Sequence, residues 1–127
     1  MIKLVGVHPE LAARVLRVLA AMEALGFPMM ITAGVRSATQ QKALWDQGRS
    51  KPGPIVTYLD GVNKKSNHQA KEDGLGYAVD AVFVVDGKPS WDLQLPWAAY
   101  GAAAKAVGLV WGGDWKMRDY PHVEFKD

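Results

Sequence analysis

Apolar residues recur at helical spacing between Pro9 and Leu25, where Leu11, Val15, Leu19 and Met22 fall on one face. Pro9 suits the first helical position and Gly26 the stop. Met29-Met30-Ile31-Thr32 reads as a short buried strand. Gly34-Val35-Arg36-Ser37 then turns the chain into a second helix from Ala38 to Gln47, with Ser37 as its cap and Gly48 as its end. Residues 49 to 76 are polar and rich in Gly, Pro, Asn and Lys. So long a stretch without periodicity inside a small domain points to a functional loop.

Tyr77 to Val85 predicts a central strand, and Asp86-Gly87 is a hairpin or turn signal. Pro96 opens a third helix through Trp97, Tyr100, Ala104 and Val107, ending at Gly108. Leu109–Trp111 and His122–Phe125 predict two more short strands, joined by a Gly/Asp/Trp loop. Helices alternate with strands, yet the last strands follow each other closely. The pattern predicts an α+β fold, a small mostly antiparallel sheet flanked by three helices.

The 127 residues fit one domain, 1–127, and a composition 49% hydrophobic and 22% charged excludes a disordered tail. Apolar runs are short, as in Ala81–Val85, so no segment is expected to insert stably in a membrane. Met1–Val7 lacks the features of a signal peptide, which predicts synthesis in the cytoplasm. The absence of cysteine excludes disulfides, thiolate nucleophiles and cysteine metal sites. A net charge of +2 is too small to indicate a nucleic-acid partner. Arg49, Lys51, Lys64 and Lys65 flank the polar loop and read as solvated charge. Five tryptophans exceed what a core this size requires and hint at a groove.

Asp80 interrupts an apolar run and by alternation shares a face with Ala78, Val82 and Val84. A buried carboxylate needs a cation or good donors, so a metal ion, a salt bridge or an exposed strand end would each account for it. In His122-Val123-Glu124-Phe125 the two polar residues face one way and the two apolar ones the other. Asp119, three positions before His122, is suitably spaced to act as a base beside a metal-bound water. His68 ends the polar loop and is either a solvent-exposed histidine or the third member of a two-histidine, one-carboxylate zinc set. His8, beside Pro9, reads as a local cap. A serine hydrolase lacks its elbow motif here, and a two-carboxylate glycosidase would leave His68 and His122 without roles.

Taken in order, Ser66-x-His68, Gly76-Tyr77-Ala78-Val79-Asp80 and Asp119-Tyr120-Pro121-His122-Val123-Glu124 resemble the signature of zinc peptidoglycan peptidases. This is the D-Ala-D-Ala carboxypeptidase and L-Ala-D-Glu endopeptidase family, which includes many phage endolysins. Gly34-Val35-Arg36-Ser37 with Gln40, Gln41, Leu44 and Gly48 is similar to that family's arginine-containing segment, and Trp111-Gly112-Gly113-Asp114-Trp115 to the tract before its last ligand. The stretch from Gln69 to Val79 departs from the family's shorter His-to-Asp spacing.

The resemblance implies a Hedgehog/DD-peptidase-like fold with Zn2+ bound by His68, Asp80 and His122. It implies Asp119 as general base and then acid, and Arg36 polarising the scissile carbonyl. Ser66, Gln41 and Trp115 would contact substrate, and Glu124 would orient a ligand or touch substrate. The expected reaction is hydrolysis of the stem peptide of bacterial peptidoglycan between L-Ala and D-Glu. A D-Ala-D-Ala carboxypeptidase or a non-catalytic wall-binding zinc module are the alternatives. A monomer released to the wall through a phage-type pore, as an endolysin is, completes the expectation.

Overall fold

A histidine starts the first long helix. His8 Nδ1 accepts the amide of Glu10 at 3.1 Å, and Pro9 takes the first helical position of α1 (Pro9–Ala24). Leu11, Val15, Val18, Leu19 and Met22 form its buried stripe. Gly26, at φ +91°, ends the helix and lets the chain turn into β1 (Met29–Ala33). The computed structural model describes residues 2–50, 67–71 and 73–125. Of the basic loop residues, Lys51, Lys64 and Lys65 therefore lie outside the described residues, as does Ser66. Arg49 is exposed and stacks on the ring of Trp45.

Helix α2 (Ala38–Asp46) starts with a capping box: Ser37 Oγ accepts the Gln40 amide, and Gln40 Oε1 accepts the Ser37 amide. Its buried side chain is polar, Gln41. β2 (Ala78–Val85) is the centre of the sheet. Asp86 and Gly87, both at positive φ, make the two-residue turn into β3 (Lys88–Ser90). The sequence signals the turn but not β3, because Lys88-Pro89-Ser90 has no apolar alternation and its proline suits only an edge.

Helix α3 (Trp97–Ala106) packs against α1. β4 (Val110–Trp111) and β5 (His122–Glu124) complete an antiparallel sheet of order β1-β2-β5-β4, with β3 paired to β2. The α+β architecture with three helices is the one the periodicity predicts. Short 3-10 helices η1 (Ile2–Leu4) and η2 (Gly112–Asp114) were not foreseen, since three residues carry no period. Among the described residues, no helix is long and apolar enough to cross a membrane.

The core joins Leu11, Val15 and Met22 of α1 to Val79, Ala81 and Phe83 of β2 and to Tyr100 and Ala104 of α3. Burying such side chains contributes roughly 1.5–3 kcal/mol each and fixes the register of β2, since a one-residue slip would exchange its two faces. That register decides where Asp80 points.

Candidate metal centre and catalytic groups

β2 and β5 pair so that Asp80 lies directly opposite His122, Val79 opposite Val123 and Ala78 opposite Glu124. Cross-strand partners share a face, so the pairing brings a carboxylate and an imidazole side by side. His68 arrives from the loop before β2. Its carbonyl accepts the Arg36 amide at 2.7 Å, and the carbonyl of Asn67 accepts the Tyr77 amide at 2.9 Å. These backbone bonds hold residues 67 and 68 between the β1–α2 turn and the start of β2.

The result is a triangle of donor atoms. His68 Nε2 lies 3.1 Å from Asp80 Oδ1 and 3.2 Å from His122 Nδ1, and His122 Nδ1 lies 3.2 Å from Asp80 Oδ1. Tetrahedral zinc with bonds of about 2.0–2.1 Å needs neighbouring ligand atoms about 3.3–3.4 Å apart. The triangle is thus close to one face of such a tetrahedron. His68, Asp80 and His122 form the one group of this kind among the described residues.

Each imidazole also has its far nitrogen engaged. His68 Nδ1–H donates to Gly34 O at 2.9 Å, and His122 Nε2–H donates to Glu124 Oε1 at 2.9 Å. This assignment leaves Nε2 of His68 and Nδ1 of His122 to face the centre, the arrangement a metal requires. Glu124 is held in turn by Asn67 Nδ2 at 2.8 Å. The two histidines are only 2% and 6% exposed, and Asp80 is the member of the preformed donor set that solvent reaches.

The charges already favour a cation. Burial pushes the Asp80 carboxyl up, but hydrogen bonds from His122 and His68 outweigh it and hold the group well below the usual carboxylate range. Burial disfavours charge on His122, yet its bonds to Asp80 and Glu124 prevail and raise its pKa to about 9.

Arg36 enters from the β1–α2 turn. Its Nη2 is 4.0 Å from Asp80 Oδ2, and its Nη1 donates to Gln41 Oε1 at 2.6 Å. Burial lowers its pKa, opposed by the charges of Asp80 and Asp119. Asp119 Oδ2 lies 3.7 Å from His122 Nδ1, with about half its side chain exposed. Burial and then the charge of Asp80 raise the Asp119 carboxyl above its ordinary value. Its backbone is tied by the bond from its amide to Gly112 O and by Tyr100 Oη and Trp111 Nε1, which donate to the carbonyls of Pro121 and Tyr120. A Cβ on Gly112 would collide with Asp119 O, so only glycine lets η2 lie against this turn.

The structure therefore gathers His68, Asp80, His122, Asp119, Arg36 and Glu124 at one place. Trp115 stands at the rim, its ring centroid 4.9 Å from that of His122. Gln41, expected to contact substrate, is buried and accepts a hydrogen bond from Arg36 Nη1. Trp111 is buried and Tyr120 partly so. His8 caps α1 and takes no part in the site. Sequence reasoning missed Asn67 and Gly34 as supports, since neither an isolated amide in a polar loop nor a backbone carbonyl leaves a periodic signal.

Residues 60–125 match a family described as D-alanyl-D-alanine carboxypeptidase. The chain is 36% identical to the peptidoglycan L-alanyl-D-glutamate endopeptidase CwlK of Bacillus subtilis, an alignment covering 92% of this chain and 72% of that protein. Among solved structures it resembles the L-Ala D-Glu endopeptidase ChiX of Serratia marcescens, with a TM-score of 0.69, 25% identity, and 98% and 84% of the two chains covered. The fold is also shared with a vancomycin resistance D,D-pentapeptidase VanY variant in complex with Zn(II), at a TM-score of 0.66 and 17% identity over 94% of this chain and 72% of that one.

Proposed function

Because the chain belongs to the D-alanyl-D-alanine carboxypeptidase family and is a peptidoglycan peptidase, we propose that it cleaves the L-alanyl–D-glutamate bond of the stem peptide at a zinc ion held by His68, Asp80 and His122. The observation that carries the zinc assignment is the triangle of donor atoms with both outer imidazole nitrogens already bonded. The choice of bond is supported by the 36% identity to an L-alanyl-D-glutamate endopeptidase over most of both chains.

Bound zinc supplies a Lewis acid beside which water becomes a competent nucleophile near neutral pH. Asp119, poised beside the donor triangle, takes the proton from the attacking water and delivers it to the departing amine. Its raised pKa suits this exchange better than an ordinary carboxylate's would. Arg36 directs its guanidinium at the carbonyl oxygen as negative charge develops there. Glu124 and the Gly34 carbonyl keep the two imidazoles in the tautomers that present a lone pair inward.

Metal analysis combined with digestion of purified cell wall tests the reading. Chelation should abolish digestion, zinc should restore it, and the products should carry new D-glutamate amino termini. Undiminished digestion by the metal-free protein would overturn the zinc assignment. Free D-alanine as the main product would make it a carboxypeptidase with the same machinery.

A further inference from the structure

β1 is an edge strand, paired with β2 on one side and with no described strand on the other. Between its C-terminal end, η1 and α2 lies a cleft of about 510 Å³. Arg36 lines one part of it and Lys3 another, and among the described lining residues these are the charged ones. Among its described lining residues the cleft therefore carries two cations, Arg36 and Lys3, and no acid. A further cleft, between α3 and the 111–120 loop, is lined by both Asp114 and Arg118 and presents no such one-sign field.

Lys3 is exposed, but its backbone is tightly held. A Cβ on Gly34 would strike the carbonyl of Lys3, so glycine allows η1 to lie directly on the turn that carries Arg36. Beyond η1, the Gly6 carbonyl accepts the Gly76 amide and the Gly76 carbonyl accepts the His8 amide, each at 2.9 Å. Lys3 Nζ donates to Thr32 O at 3.2 Å, and Thr32 Oγ1 donates to the Asp80 carbonyl at 3.5 Å. An ammonium has three donors, and that bond uses one. Thr32 thus links the Lys3 ammonium to the backbone of Asp80.

The substrate chemistry matches this field. Glutamate has two carboxyl groups, and whichever continues the chain, the other remains as a free carboxylate on the amine side of the scissile bond. An extended chain advances about 3.3–3.6 Å per residue, so this carboxylate lies within one or two residues of the carbonyl at Arg36. Resting on the endopeptidase reading above, we infer that Lys3 binds the free carboxylate of the glutamyl residue and that the cleft from Arg36 to Lys3 is the amine-side subsite.

The test compares two synthetic peptides that differ only at this group, one with the free carboxylate and one with it converted to the amide. For the zinc-loaded wild-type enzyme, kcat/KM should favour the carboxylate by about 10- to 100-fold, the range of one charge-assisted hydrogen bond, and mostly through KM. Lys3→Met should bring the ratio close to one, Lys3→Arg should keep most of it, and Lys3→Glu should invert it. Zinc content and melting temperature of each variant establish that it is folded. Equal cleavage of both peptides by the wild type, or an unchanged ratio in folded Lys3→Met, overturns the Lys3 assignment alone. If the wild type cleaves neither peptide but releases D-alanine from a D-Ala-D-Ala terminus, the endopeptidase reading falls and the subsite with it.

Discussion

Glu124 Oε1 sits 2.9 Å from Nε2 of His122, two residues away on the same face of β5, with both side chains buried. One strand thus supplies both a proposed metal ligand and the acceptor that orients it. Glu124→Ala should lower zinc affinity about 10- to 100-fold, the usual effect of removing such a partner. Competition against a chromophoric chelator measures it. An unchanged affinity would show that packing alone orients the ring.

Gln41 should matter through Arg36. Gln41→Leu removes the 2.6 Å bond from a partly buried guanidinium, a loss of about 1.5–3 kcal/mol for a charged hydrogen bond. The expected outcome is a kcat lowered by tenfold or more, with full zinc content and a nearly unchanged KM. A variant that loses kcat and zinc together would place Gln41 in structural support of the whole site instead.

Asp119→Asn should bind zinc normally and lose about 10²- to 10⁴-fold in kcat, the range for a proton-transfer group. Its carboxylate lies 3.7 Å from His122 Nδ1, outside the triangle of shortest approaches, so metal content should not follow activity. Zinc analysis alongside single-turnover rates separates the two. Retained turnover would remove Asp119 from the proton path.

Stability of the metal-free protein should depend on pH in a defined direction. The pKa of His122 is raised from 6.5 to about 9, so its protonated form stabilises the fold fully below about pH 6.5, and that contribution is lost as pH rises through 9. Asp80 is depressed, so its contribution is present above the ordinary carboxylate pKa and lost only in acid, as pH falls through the lowered value. Chelated protein should therefore melt at lower temperature at pH 9.5 than at pH 6.5. Binding zinc near pH 7.5 should release a proton from His122, seen as a buffer-dependent heat in calorimetry. A buffer-independent heat would contradict this.

Gly101 of α3 lies against the Trp111 ring, where a Cβ would overlap the indole. Alanine raises helix propensity by about 1 kcal/mol, but overpacking of this kind costs about 1–3 kcal/mol. Overpacking should win, so Gly101→Ala should lower the melting temperature. Because Trp111 Nε1 holds Tyr120 O at 2.8 Å, activity should fall with it. A higher melting temperature would mean that the ring moves aside freely.

Much of the fold was legible in the chain itself. Leu11, Val15, Leu19 and Met22 announce α1, and the Asp86-Gly87 turn follows from residues that tolerate positive φ. The polar residues of the site stood out where they broke a pattern: Asp80 in an apolar run, and His122 and Glu124 alternating with Val123 and Phe125. Periodicity reports which way a side chain faces relative to the core, and that is local information.

Which faces meet is not local. His68 and Asp80 are 12 positions apart and His68 and His122 are 54 apart, yet their donor atoms lie within 3.2 Å. Only the register of β2 against β5 puts Asp80 opposite His122, and backbone bonds from Arg36 and Tyr77, with the bond of His68 Nδ1 to Gly34 O, bring His68 to them. Gln41, expected at the substrate, is buried and bonded to Arg36, a contact five positions along the chain that periodicity does not report. The amino-acid pattern alone determined the three helices, the main strands and the residue types able to bind a cation. Tertiary pairing decided their separation, because long-range register and packing set distances that no single segment encodes.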